Sequence, residues 1–190
     1  MSDVEMRVLD AAKSCCERWG YEKVTIDDIA AAARVSRATI YRMFPGGKDV
    51  LFEALRVREL EEFFALLLSR VEGASNLEDL LVRAVVAATE ELRADEHLAL
   101  ALASEPGTTL SQLTVDGLPR IIRFANAFLA PLAEAYLDRD QARAVIDVLA
   151  RLTISYFLAP SDTVDLGDEE SARAFLAPFL TPYLNEGAHQ

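Results

Sequence analysis

The chain has 190 residues, just over half of them apolar, with 7 prolines, 8 glycines and no long polar or low-complexity tract; a disordered or fibrous protein is excluded, and one small module joined to a medium one fits. No run approaches the roughly 18 consecutive apolar residues of a membrane span, and residues 1–20 carry charges throughout instead of a hydrophobic signal core, so a cytoplasmic location is expected. The net charge of -12 argues against a nucleic-acid binder, yet residues 1–47 hold 7 of the 19 Lys+Arg and 7 of the 31 Asp+Glu, which confines the excess of acid to the C-terminal part and leaves a neutral head on an acidic body.

Apolar residues recur at three- and four-residue spacing through nearly every segment and no stretch reads as a long strand, so the expected fold is all-α with about nine helices. Ser2 and Glu5 form a capping box for a first helix, whose inner face carries Val8, Ala11, Ala12, Cys15 and Trp19 and which stops at Gly20. Cys15 and Cys16 are adjacent and point apart on a helix; this excludes a disulfide framework or a CxxC metal site and leaves two inert thiols. Thr25 with Asp28 opens a second, short helix. Ser36 caps a third, and Pro45-Gly46-Gly47 ends it before a fourth begins near Lys48. Residues 1–47 thus make a three-helix module, and residues 48–190 a second domain.

The fourth helix is expected to run unbroken to about Val71 and so to bridge the domains, with Gly73-Ala74-Ser75 leading to a new helix capped by Asn76. Ser104 to Pro119 reads as a looser region with at most a short helix. The next helix, with Ile121, Ile122, Phe124, Phe128, Leu129, Leu132 and Tyr136, is apolar on more than one face, and Pro131 should bend it. Two clear stripes close the chain: Ala142, Val145, Ile146, Leu149, Leu152, Thr153, Tyr156 and Phe157, then Ala172, Phe175, Leu176, Phe179, Leu180, Tyr183 and Leu184. Such stripes either close over their own core or, as preferred here, form a four-helix homodimer interface from residues 140–158 and 169–185 of each subunit. No metal or cofactor is expected: His97 and His189 stand alone without ligand spacing. An enzyme is disfavoured too, since no nucleophile elbow, phosphate loop or HExxH occurs.

The tract Thr25 to Phe44 fits a helix-turn-helix. Ile29, Val35 and Ile40 supply its internal apolar positions, and Ala30 is small enough for the helices to cross closely. From Arg34 to Lys48 there are four basic residues and no acid. Ser36 starts the reading helix, so Arg37, Ala38, Thr39, Tyr41 and Arg42 fall in its first two turns. Either arginine suits guanine O6 and N7, and Ala38 and the Thr39 methyl suit thymine, whereas Thr25, Tyr41 and Lys48 suit phosphate oxygens.

These segments, TIDDIAAAA (Thr25–Ala33) and VSRATIYRMFPGGKDVLFEAL (Val35–Leu55), resemble the DNA-binding signature of the tetracycline-repressor (TetR) family, strongly over residues 5–55 and only in outline beyond. The resemblance implies a dimeric regulator on double-stranded DNA carrying an inverted repeat, with phosphate contacts from Thr25, Tyr41 and Lys48, base-edge contacts from Arg37, Ala38 and Thr39, mixed contact from Arg42, and Phe44 packed inside. One position departs: the turn residue commonly glycine in the family is Arg34, which in a left-handed conformation costs about 1 kcal/mol or somewhat more and offers an extra phosphate contact in return. The resemblance further implies an effector cavity among the middle helices. Their Leu, Val, Ala and Phe content implies a small apolar effector such as a lipid, acyl chain or aromatic compound, oriented by Thr89, His97, Arg123, Asn126 or Tyr156 near Phe128. The expected mechanism is release of a repressor from its operator when the ligand makes the bridging helix pivot. The alternatives are a non-DNA-binding ligand-binding protein and a helical enzyme acting on an apolar substrate.

Overall fold

In a computed structural model of the protein, residues 2–104, 106–115 and 117–186 are described, all but the side chains of residues 184–186. His189 therefore lies outside the described residues, as does the Leu184 side chain. Ten α-helices and no strand occur among them: α1 Asp3–Trp19, α2 Ile26–Ala33, α3 Arg37–Met43, α4 Lys48–Val71, α5 Leu77–Ala94, α6 Glu96–Ser104, α7 Pro106–Leu113, α8 Leu118–Ala133, α9 Arg139–Leu158 and α10 Glu169–Glu186. The chain divides into two compact units inside α4, between Glu61 and Glu62. That is later than the expected boundary at 47/48, because Leu51, Phe52 and Leu55 of α4 are part of the N-terminal core.

In the first unit, local hydrogen bonds start α1 and α2 where the caps predict. Glu5 donates its N–H to Ser2 Oγ at 3.2 Å, and Asp28 donates its N–H to Thr25 Oγ1 at 3.2 Å while Asp28 Oδ2 accepts from the Thr25 N–H at 2.9 Å. Each reciprocal pair satisfies donors a helix end would otherwise leave open. Val8, Leu9, Ala12, Ile29, Ile40, Phe44 and Leu51 close a core between α1, α2, α3 and the start of α4, each large side chain contributing roughly 1.5–3 kcal/mol. Trp19 is not part of it. It is 44% exposed, with the Arg18 guanidinium 5.3 Å from its ring, because it is the last residue of α1, past the end of the packed face.

The second unit is built on α5, half of whose 18 residues are buried. α9 and α10 pack on α5, and α8 packs on α9. The tenth helix arises at Asp95, where the apolar periodicity runs on but the carboxylate accepts from the N–H groups of His97 and Leu98 at 3.0 and 2.9 Å. It thereby caps α6 and separates it from α5. α7 is the short helix expected in the looser region, with Pro106 at its first position, where no N–H is needed. α8 buries one stripe, Ala125, Leu129, Ala130 and Ala133, not several faces. It ends at Ala133, two residues after Pro131, which has no N–H for Ala127, and leaves Leu132 and Tyr136 exposed. Most of the α9 and α10 stripes face their own domain: Ala142, Val145, Ile146, Leu149, Ala172, Leu176 and Leu180 are buried.

An ion network joins α5 to α10. Arg173 donates to Glu78 Oε1 at 3.1 Å and Glu169 Oε1 at 2.8 Å, and buried Asp79 accepts from the Ser75 N–H at 2.9 Å and Arg83 Nε at 2.8 Å. The Ser75 N–H first, and then the Arg83 side chain, hold the Asp79 carboxyl below its usual range. A carboxylate with a lowered folded pKa contributes stability that is present above its unfolded value, about 3.9, and lost as pH falls through the folded one. Asp79→Asn is thus expected to melt earlier than the native chain at pH 6, the gap closing as pH falls below about 4. Thermal melts followed by circular dichroism at stepped pH check this.

Candidate nucleic-acid interface

The turn between α2 and α3 decides where the reading helix points. Arg34 is its pivot, the one non-glycine with positive φ among the described residues (φ 54°, ψ 46°), in the left-handed region. Its N–H donates to Ala31 O at 3.2 Å and the Val35 N–H donates to Ala30 O at 3.0 Å, the paired bonds that close a helix with a left-handed residue. Chain direction then reverses at once, and Ser36 caps α3 by accepting the Thr39 N–H at 3.1 Å. Ile40 is fully buried and Phe44 is 3% exposed, which pins one face of α3 to the core. The opposite face presents Arg37, Ala38, Tyr41 and Arg42, all exposed, with Thr39 half-buried and Arg34, Ser36 and Thr25 exposed beside them.

Arg34→Gly removes a left-handed penalty of about 1–2 kcal/mol and adds about 0.5–1 kcal/mol of unfolded-state entropy. The variant is expected to melt about 2 °C higher by calorimetry. The same change takes a cation from the exposed surface, so DNA affinity should fall and its salt dependence flatten, opposite in sign to the stability gain.

Several contacts here join residues that spacing alone does not pair. Asp27 Oδ2 lies 3.2 Å from Arg37 Nη1, tying α2 to the first residue of α3. Lys48 donates to the Tyr21 and Glu22 carbonyls and lies 4.3 Å from the centre of the Tyr21 ring, whose hydroxyl donates to Asp49 at 3.1 Å. The Tyr41 ring rests against Gly47 (φ +74°), where a Cβ would come within 3.1 Å of it. Burial foremost, then the bond to Asp49, raises the Tyr21 hydroxyl above its ordinary pKa, so it stays a neutral donor. Lys48 is therefore half-buried and already engaged, while the exposed cations of this face are Arg34, Arg37 and Arg42.

The profile described as bacterial regulatory proteins, tetR family, matches residues 8–55, the stretch that builds this head. Along nearly the whole chain, an uncharacterised HTH-type transcriptional regulator of Mycobacterium bovis is 28% identical over 192 residues, covering 97% of this chain and 94% of that one. Residues 8–55 are thus a tetR-type segment, and the likeness to HTH-type transcriptional regulators runs along nearly the whole chain. The HTH-type transcriptional regulator AlkX of Mycobacterium tuberculosis is likewise 28% identical, over 93% of this chain and 82% of its own. Among solved structures, the TetR family repressor AlkX from Dietzia sp., implicated in biodegradation of n-alkanes, superposes with a TM-score of 0.67 at 24% identity, covering 96% and 95% of the two chains. The fatty acid degradation regulator FadR of Bacillus halodurans does so at 0.57 and 21% identity, over 93% and 95%.

In the C-terminal half of the chain the residues expected around an effector lie on α5, α6, α8 and α9. Thr89 is fully buried and donates to Val85 O at 2.8 Å, within its own helix. His97 and Arg123 are exposed. Asn126 donates to Ile122 O at 3.1 Å while its Oδ1 is buried without a hydrogen-bond partner. Phe128 stacks with Phe64 and Phe124 at 5.8 and 6.2 Å, and Tyr156 lies 5.0 Å from Phe175. An open groove of about 590 Å³ lies elsewhere, lined by Leu68, Val71, Leu80, Leu132 and Tyr136 with Ser69 and Glu72. These residues come from α4, α5 and the segment around the end of α8, and no periodicity in any one of them marks a shared cleft. No helix among the described residues is long and apolar enough to cross a membrane.

Proposed function

We propose that the protein is a homodimeric repressor that binds an inverted-repeat operator and is released by a small apolar effector. The observation that carries the operator reading is the exposed face of Arg34, Ser36, Arg37, Ala38, Tyr41 and Arg42, from a stretch without acids, on a helix fixed by Ile40 and Phe44. Arg37 and Arg42 read bases, Ala38 and the Thr39 methyl meet thymine, and Thr25, Tyr41 and Arg34 take phosphates. Lys48 takes a phosphate only by exchanging its carbonyl partners. The acidic remainder repels DNA and so orients the approach of the head.

An apolar effector is supported by the composition of the second domain and by its structural likeness to regulators of n-alkane and fatty-acid breakdown. A long-chain hydrocarbon or fatty acid is the class to try first. It acts by binding one arrangement of the dimer better than another, since half-sites about one helical turn, ~34 Å, apart tolerate little change in head spacing. Moving most of the population needs a differential affinity of several kcal/mol. Selection from random duplex DNA at low and then physiological salt tests the reading: enrichment of an inverted repeat, and its release by fatty acids or n-alkanes of graded length, are the expected results. No enrichment at either salt would overturn the operator reading, and retention of the duplex under every apolar compound would overturn the effector.

A further inference from the structure

We propose that Asp27 is a specificity-determining residue: by holding Arg37 Nη1 it keeps that guanidinium aimed at a base edge and away from the phosphate backbone. The inference rests on the operator reading above. From Thr25 to Lys48 the acids are Asp27 and Asp28 alone, and they do different work. Asp28 caps α2, where its hydrogen bonds with Thr25 hold its pKa below the ordinary range. Asp27 sits one residue earlier, exposed, with its Oδ2 3.2 Å from Arg37 Nη1. The two side chains retain 64% and 58% of their exposure, and exposed pairs of this kind add little to stability. A carboxylate on a DNA-facing surface also lowers affinity for any polyanion. Its place in the first turn of α2 brings a modest helix-dipole gain, but that gain needs no pairing with Arg37.

Selectivity accounts for the pairing. An arginine on an exposed helix is long and freely jointed, and its guanidinium satisfies itself equally on a phosphate, which carries no sequence information. With Nη1 held by Asp27, the Nε and Nη2 edge remains, two roughly parallel N–H groups matching guanine O6 and N7. The carboxylate beside it repels the full charge of a phosphate more than the partial charges of a guanine edge. The pair thus penalises the wrong contact as well as favouring the right one.

The test uses the full-length protein, the enriched repeat, the same repeat with each guanine replaced in turn, and an unrelated duplex, each at two salt concentrations. The diagnostic guanine is the one whose replacement weakens the native protein but not Arg37→Ala. Asp27→Ala is expected to reduce discrimination at that position about tenfold, a good share of what one bidentate pair supplies. It should at the same time bind the unrelated duplex more tightly, with a steeper salt dependence. Asp27→Asn, which keeps a hydrogen-bond acceptor, should retain most of the discrimination, and Asp27→Ala should change none of it once Arg37 is alanine. Affinities that rise together for repeat and unrelated duplex would overturn the proposal, leaving Asp27 as mere repulsion. So would affinities that fall together, or the absence of any guanine that Arg37 distinguishes. A native protein that enriches no repeat removes the operator reading and this inference with it, and is recognised before any variant is made.

Discussion

Replacing Arg37 and Tyr41 together with alanine is expected to weaken binding to the enriched repeat about a thousandfold while leaving the fold intact. A bidentate arginine–guanine pair is worth about 1–3 kcal/mol and a hydroxyl–phosphate bond about 0.5–1.5 kcal/mol. Both are lost in each of two heads, about 3–9 kcal/mol together, and the roughly 4 kcal/mol of a thousandfold change lies in the lower part of that range. The lower part applies because Arg37 is already paired with Asp27 in the free protein, so its release is not all gain. Binding to unrelated duplex should fall far less, since Arg34 and Arg42 still face the backbone. Both side chains are exposed, and alanine is the best helix former, so far-ultraviolet dichroism and melting temperature should stay close to native. Loss of affinity with loss of helix would instead assign these residues to the fold. Equal loss on every duplex would make them phosphate contacts only.

How much of this was legible in the sequence follows from the range of each signal. The starts of α1, α2, α3 and α5 are set by side chains that bond to backbone three residues away, Ser2 with Glu5, Thr25 with Asp28, Ser36 with Thr39 and Asn76 with Asp79. Each such pattern is visible in a window of four residues. Arg34 was legible only through the resemblance, in which the turn residue is commonly glycine, so that a non-glycine there is conspicuous. Asp95 was not, because the apolar run continues on both sides and a cap in mid-pattern looks like a polar position on a longer helix. The Asp27–Arg37 and Tyr21–Lys48 contacts join residues ten and 27 apart, and only the folded turn brings them together. Periodicity likewise states that α9 and α10 each bury a face, but not what covers it. Of that stripe, Leu149, Ala172, Leu176 and Leu180 are covered by this chain, while a remainder stays outside.

That remainder carries the last prediction. Phe179 is 47% exposed and stands 5.4 Å from the half-buried Phe175, which in turn stands 5.0 Å from Tyr156. An exposed aromatic patch running across the two final helices suits a two-fold, self-complementary interface. Phe179→Glu is therefore expected to turn a dimer into a monomer. A central aromatic contributes about 2–4 kcal/mol and symmetry counts it twice, which weakens self-association by roughly a thousandfold or more. Light scattering should show the native mass at two chains and the variant's at one. Since the ring is half in solvent, the variant's helix content should hold, whereas Leu180→Glu, at a fully buried neighbour, should unfold the domain. The monomer also tests the operator reading, because a single head forfeits the effective concentration, millimolar or so, that a linked second head supplies. Affinity for the full repeat should then fall to that for one half-site, while affinity for a half-site alone stays unchanged. A variant that remains dimeric would move the interface off this face, and the aromatic patch would then need some other partner to cover it.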